Sequence, residues 1–159
     1  PMVYYGDEAG MWGANDPDCR KPMLWPDLEY AAEAFLPDGR KREKPDEVAF
    51  DQELFSHYRK LIRIRNRYPV FQQGDYQTLL TDDGRKVYAF FRALNEQRAV
   101  VVLNNGDAGQ RVRLPKTAGR RWHDLLNDAD VFQDADGCLE VVVEPRWGAI
   151  LLAEQGGEA

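Results

Sequence analysis

From residue 74 onward, apolar and polar positions alternate with a period of two. The runs 75–81, 87–94, 98–104, 109–114, 120–125, 139–144 and 147–153 therefore read as strands. Turn-forming clusters separate them: Asp82-Asp83-Gly84, Asn95-Glu96, Asn105-Gly106-Asp107 and Asp136-Gly137. Short strands at this spacing predict a mainly β fold, an antiparallel sandwich with Greek-key connections. The unbroken apolar run Ala99–Leu103 is expected at the centre of a sheet. Alternation through Trp147, Ala149 and Leu151 puts these three on one buried face.

Before residue 70 the pattern differs. Phe50, Leu54, Tyr58, Leu61, Ile62 and Arg65 recur at helical spacing, predicting a helix over 48–68 that stops at Pro69. Arg59, Lys60, Arg63 and Arg67 gather toward its C-terminal end, where they suit the helix dipole. Residues 2–5, Met-Val-Tyr-Tyr, read as a short buried strand ending at Gly6. No neighbouring segment offers it a parallel partner, so it reads as part of a larger sheet. Residues 6–47 are rich in Gly, Pro and Asp, yet carry Trp12, Trp25, Tyr30 and Phe35. A long irregular stretch with that aromatic content reads as a functional loop. The expected division is an irregular arm plus helix over 1–69 and a sandwich over 70–159.

Composition narrows the function classes. The 159 residues, 43% of them hydrophobic, suffice for one domain with an arm. A net charge of −6 argues against a nucleic-acid partner. No apolar run approaches the roughly 20 residues of a membrane helix. Cys19 and Cys138 stand far apart and read as two thiols. The opening at Pro1, inside an apolar stretch, reads like the middle of a protein.

His57 and His123 lack neighbours at metal-ligand spacing and read as structural. The acidic run Asp128, Asp130, Asp134 and Asp136 lacks the distal Glu of a calcium loop, since Glu140 is too close. Neither a metal nor a cofactor is expected. Trp122 and Trp147 read as core residues before they read as a sugar-stacking surface.

The segment Pro1 to Trp25 resembles the end of the catalytic barrel in the alpha-amylase superfamily, through Met-Val-Tyr-Tyr-Gly-Asp-Glu-Ala-Gly at 2–10. Asp16-Pro17-Asp18-Cys19-Arg20-Lys21-Pro22-Met23-Leu24-Trp25 is most similar to the neopullulanase, cyclomaltodextrinase and maltogenic amylase group. The resemblance implies the last strand, a substrate loop and the last helix of a (β/α)8 barrel, followed by a C-terminal sandwich. It implies retaining cleavage of α-1,4 or α-1,6 glucosidic bonds in α-glucans, with maltosaccharides as partners and a cytoplasmic location. It also implies that no catalytic carboxylate lies in this chain.

Asp7 and Glu8 tempt as a catalytic pair. A retaining pair needs two carboxyl groups about 5–5.5 Å apart on one bond. Adjacent residues of an extended chain point to opposite sides. They are therefore expected to support the barrel rim. Asp16 and Arg20, four apart, are spaced for an ion pair. The resemblance implies that they contact a glucose unit on the non-reducing side of the cleaved bond. Trp12 and Trp25 are weaker candidates for sugar contact. Without the rest of its barrel, the apolar strand at 2–5 would favour self-association.

Overall fold

A computed structural model describes residues 1–13, 16, 20–36, 38–115, 121–132 and 137–154. The chain divides into two compact units, residues 1–61 and 62–159.

In the first unit, Asp7–Ala9 forms a single 3-10 turn between two left-handed glycines, Gly6 at φ 90° and Gly10 at φ 75°. Strands β1 (Glu33–Phe35) and β2 (Lys41–Asp46) pair as an antiparallel hairpin with an irregular register. Helix α1 (Gln52–Arg67), whose last six residues fall in the second unit, begins where the Asp51 carboxylate accepts the Leu54 N–H at 2.8 Å, which satisfies one of the helix's unpaired donors.

Residues 2–5 do not form the expected strand. Among the described residues no ladder reaches them, and without one an extended segment leaves its backbone groups to water. Met2 is 87% exposed and Tyr4 50%.

Helix α1 starts four residues later than the period suggested and has a different inner face. Ile64 is buried and Ile62 is 49% exposed. At about 100° per residue, Ile62 and Ile64 flank the stripe of Leu54, Tyr58 and Leu61 on opposite edges, and the covered side is the one that carries Ile64.

In the second unit, a four-residue helix α2 (Val70–Gln73) leads into strands β3 (Asp75–Asp82), β4 (Val87–Leu94), β5 (Gln97–Asn104), β6 (Gln110–Leu114), β7 (Arg121–Asp124), β8 (Ala129–Phe132), β9 (Leu139–Val143) and β10 (Trp147–Ala153). All pairings are antiparallel. One sheet has the order β3-β4-β5-β10-β7-β8, and β6-β9 forms the second. Strand β10, reached from β9 through residues 144–146, crosses to the larger sheet and lies between β5 and β7. Strand β5 is internal, as its apolar run required.

The two sheets share one core. Val100, Val102, Trp122 and Leu151 of the larger sheet meet Val112, Leu139 and Val141 of the smaller one. The other face of the larger sheet is partly covered by Ile64, Val70 and Phe71, which pack with Ala99. Arg92 anchors this cover by donating to the carbonyls of Phe71 at 2.8 Å and Gly74 at 2.6 Å.

Ala149 and Leu151 are buried as expected, but Trp147 is 42% exposed. It sits at the first position of β10, and its Nε1–H donates to Asn127 Oδ1 at 2.7 Å. Trp122 is fully buried.

Candidate functional site

The loop segment implied to touch sugar lies in the first unit, so its local geometry can be built from residues 1–47. The chain enters through Tyr4 and Tyr5, whose rings lie 4.8 Å apart. Gly6 then takes the left-handed conformation, which a side chain would resist.

Asp7 and Glu8 follow in the 3-10 turn and not in an extended strand. The two side chains are therefore not set on opposite faces of a strand. Their carboxylates turn back on the chain instead. Asp7 Oδ2 accepts the Tyr4 N–H at 3.0 Å, and Glu8 Oε2 accepts the Gly6 N–H at 3.1 Å. Each holds a backbone donor of the approach to the turn, while Ala9 is buried behind it.

Asp16 and Arg20 are brought together. Arg20 Nη2 lies 2.5 Å from Asp16 Oδ1, and both side chains are about two-thirds exposed, at 64% and 66% respectively. An ion pair in that much water is weak on its own account. What it does is present a guanidinium and a carboxylate side by side on the surface. Together these can donate to and accept from neighbouring hydroxyl groups of one sugar ring. Asp18 and Cys19 lie outside the described residues.

The two tryptophans differ. Trp25 is 55% exposed, and its backbone N–H donates to the Tyr30 hydroxyl at 2.5 Å. Trp12 is 36% exposed, and two cations lie over its ring. Lys21 Nζ is 4.6 Å from the ring centroid and the Arg42 guanidinium carbon 4.7 Å. Each cation has its own carboxylate: Lys21 Nζ lies 2.6 Å from Glu33, and Arg42 Nη1 2.5 Å from Asp46. Arg42 Nε–H also donates to the Phe35 carbonyl at 3.0 Å. Trp12, Lys21 and Glu33 line a small cavity with Gly10, Leu24 and Glu47. Sequence reasoning singled out Trp12 but missed Lys21, Glu33 and Arg42. Arg42 is thirty positions from Trp12 in a polar stretch, and no local pattern joins them.

Among the described residues no group of three His, Cys, Asp or Glu side chains is arranged to hold a metal. His123 Nε2 lies 3.4 Å from Asp128 Oδ1. Asp128 occupies a left-handed turn position at φ 55°. Asp134 and Asp136 lie outside the described residues. No helix among the described residues is long and apolar enough to cross a membrane.

Residues 76–149 match the family model described as "Maltogenic Amylase, C-terminal domain". Over 95% of its length the chain is 35% identical to neopullulanase 2 of Thermoactinomyces vulgaris, of which it spans 23%. It is 30% identical over 96% of its length to a cyclomaltodextrinase of Geobacillus thermopakistaniensis, of which it spans 22%. The chain thus spans less than a quarter of the length of these curated relatives. An Anoxybacillus alpha-amylase crystal structure superposes on 98% of the chain with a TM-score of 0.72 at 25% identity, and the chain covers 29% of it. The sandwich, the helix before it and these matches together place the chain at the C-terminal domain of the maltogenic amylase, neopullulanase and cyclomaltodextrinase family, within the alpha-amylase superfamily.

Proposed function

We propose that this chain is the C-terminal part of a retaining glycoside hydrolase that cleaves α-1,4 or α-1,6 glucosidic bonds in α-glucans. Residues 1–69 belong to the end of its catalytic barrel and residues 70–159 to the domain that follows. The names of the relatives, neopullulanase and cyclomaltodextrinase, support an α-glucan as substrate. Barrel enzymes carry their sites on the loops after the strands, and a whole barrel takes about 250 residues. By the family resemblance the carboxylates that do the chemistry belong to earlier strands, and on this reading the chain by itself is inactive.

The observation that carries the proposal for this chain's own residues is the exposed pair Asp16–Arg20. Its charged hydrogen-bonding groups hold a glucose unit on the non-reducing side of the scissile bond. Asp7 and Glu8 support the rim by fixing the turn that leads to it. In the full-length enzyme, Arg20→Ala lowers kcat/KM on maltosaccharides by about tenfold, the cost of one charge-assisted hydrogen bond. An unchanged kcat/KM would remove Arg20 from the site.

A free-standing carbohydrate-binding module is less well supported. Of the two sandwich tryptophans that could have formed a platform, Trp122 is fully buried. Retardation of the chain in a glucan-containing gel would favour the module. The exposed apolar residues at 2–5 support self-association of the chain on its own. A monomeric mass in light scattering at micromolar concentration would oppose it.

A further inference from the structure

The contacts around Trp12 converge on the two ends of one loop. Trp12 stands where the Asp16–Arg20 segment begins, and Lys21 where it ends. Lys21 Nζ, 4.6 Å from the indole centroid, ties the second end to the first. The β1–β2 hairpin then grips both. Glu33 of β1 takes Lys21 at 2.6 Å, and Arg42 of β2 lies over Trp12 at 4.7 Å. The Tyr5 hydroxyl adds a third hold, donating to the Lys21 carbonyl at 3.0 Å.

These are not loose surface pairs. The side chains of Lys21, Glu33 and Arg42 are 27%, 22% and 16% exposed, against about two-thirds for the pair they enclose. A cation beside an aromatic ring gains more as water is excluded. Arg42 is held in place by three groups at once: the Trp12 ring, the Phe35 carbonyl and the Asp46 carboxylate. The planar guanidinium can serve all three directions, which an ammonium cannot.

We propose that Arg42, with Lys21 and Glu33, is a positioning device that closes the neck of the 12–21 loop through Trp12 and so sets the affinity for the sugar held by Asp16 and Arg20. It rests on the sugar-contact reading given above. It also gives Trp12 a specific job: its ring is an anchor for two cations, not a stacking surface for glucose. The hairpin, which has no chemistry of its own, becomes the strap on which the loop hangs.

The test uses two readouts. The first is the rate of limited trypsin cleavage after Arg20, which reports whether the loop ends are tied and needs no activity. Cleavage after Lys21 is blocked by Pro22. The second is KM and kcat on maltotriose in the full-length enzyme. Arg42→Ala raises the cleavage rate and raises KM by about three- to tenfold, with kcat within about twofold. Arg42→Lys, which keeps a cation near the ring but cannot also serve the Phe35 carbonyl and the Asp46 carboxylate, recovers only part of the KM change. Arg20→Ala serves as the reference for the sugar contact.

If Arg42→Ala changes neither cleavage nor KM, the neck device is overturned. If cleavage rises while KM stays put, and Arg20→Ala still weakens the enzyme, the loop is tied but its closure does not set affinity. If Arg20→Ala is silent, the sugar contact itself fails and the affinity claim goes with it. The cleavage rate then still shows whether the neck is closed.

Discussion

Asn104 is the most consequential polar side chain in the sandwich. It ends β5 with 2% of its surface exposed. Its Nδ2 donates toward the carbonyls of Ala108 at 2.9 Å, Glu144 at 2.9 Å and Val143 at 3.2 Å. Its Oδ1 accepts the Gly106 N–H at 2.9 Å. One amide thereby ties the β5–β6 turn to the end of β9. The nitrogen has two hydrogens, so two full bonds are shared among three carbonyls, and the oxygen adds a third bond. At about 0.5–1.5 kcal/mol net per bond, Asn104→Ala costs about 3 kcal/mol. For a unit of this size that lowers the melting temperature by about 12–24 °C. Asn104→Asp has nearly the same shape and reverses the chemistry. It points an oxygen at three carbonyl oxygens and brings an unpaired charge into a dry site. It therefore destabilises at least as much as the alanine at neutral pH, and recovers partly in acid as a protonated carboxyl regains one donor. Thermal unfolding followed by circular dichroism measures both. A shift of less than about 4 °C for Asn104→Ala, which is about 1 kcal/mol, would refute the bond count. So would an aspartate variant as stable as the parent.

Two further expectations are local. A methyl at Gly74 would lie 2.5 Å from the Val70 carbonyl oxygen and 3.0 Å from that of Ala93, both backbone atoms, whereas at Gly109 the nearest atom is 3.8 Å away. Gly74→Ala should cost about 2 kcal/mol and Gly109→Ala less than about 0.5 kcal/mol in urea denaturation; equal costs would contradict the packing. The Asp82 carboxylate accepts the Arg85 backbone N–H at 2.9 Å and its Nε–H at 2.7 Å, which hold its pKa below the ordinary 3.8. Its contribution to the β3–β4 turn is therefore complete above the unfolded value and is lost as pH falls through the lower folded value. A carboxyl titration by NMR with its midpoint at or above 3.8 would overturn this, and Asp82→Asn removes the dependence.

Much of the second unit was legible because its strands alternate cleanly and its turns carry Asp, Asn and Gly. β8 escaped because Ala129–Phe132 is only four residues long and carries Asp130 within it. The β1–β2 hairpin escaped for a related reason. β2 reads Lys-Arg-Glu-Lys-Pro-Asp, with no apolar residue to mark a period and a proline that only an edge strand tolerates. Residues 2–5 have the composition of a strand that belongs to a larger sheet, and among the described residues no ladder reaches them. Trp147 was misjudged because alternation assigns a face but does not say how deeply the first residue of a strand is buried.

For the candidate site, the four-residue step from Asp16 to Arg20 was readable as an ion pair, and the two side chains do meet. The carboxylates of Asp7 and Glu8 were placed by assuming an extended chain. The left-handed Gly6 and Gly10 bend that segment into a 3-10 turn instead. The neck of the loop was invisible, since it joins residues 12, 21, 33 and 42 through contacts that no periodicity connects.

The place of β10 has a consequence for how the sandwich is made. In sequence it is the last strand, yet in space it is the seam between β3-β4-β5 on one side and β7-β8 on the other. During synthesis the two sub-sheets wait with facing edges unpaired until residues 147–153 arrive to join them. Leu151 and Ala149 then complete the core in the same step. The unit should thus fold late and in a single cooperative event, with a rate limited by its long-range pairings. While the seam is open, two strand edges are offered to any other chain nearby.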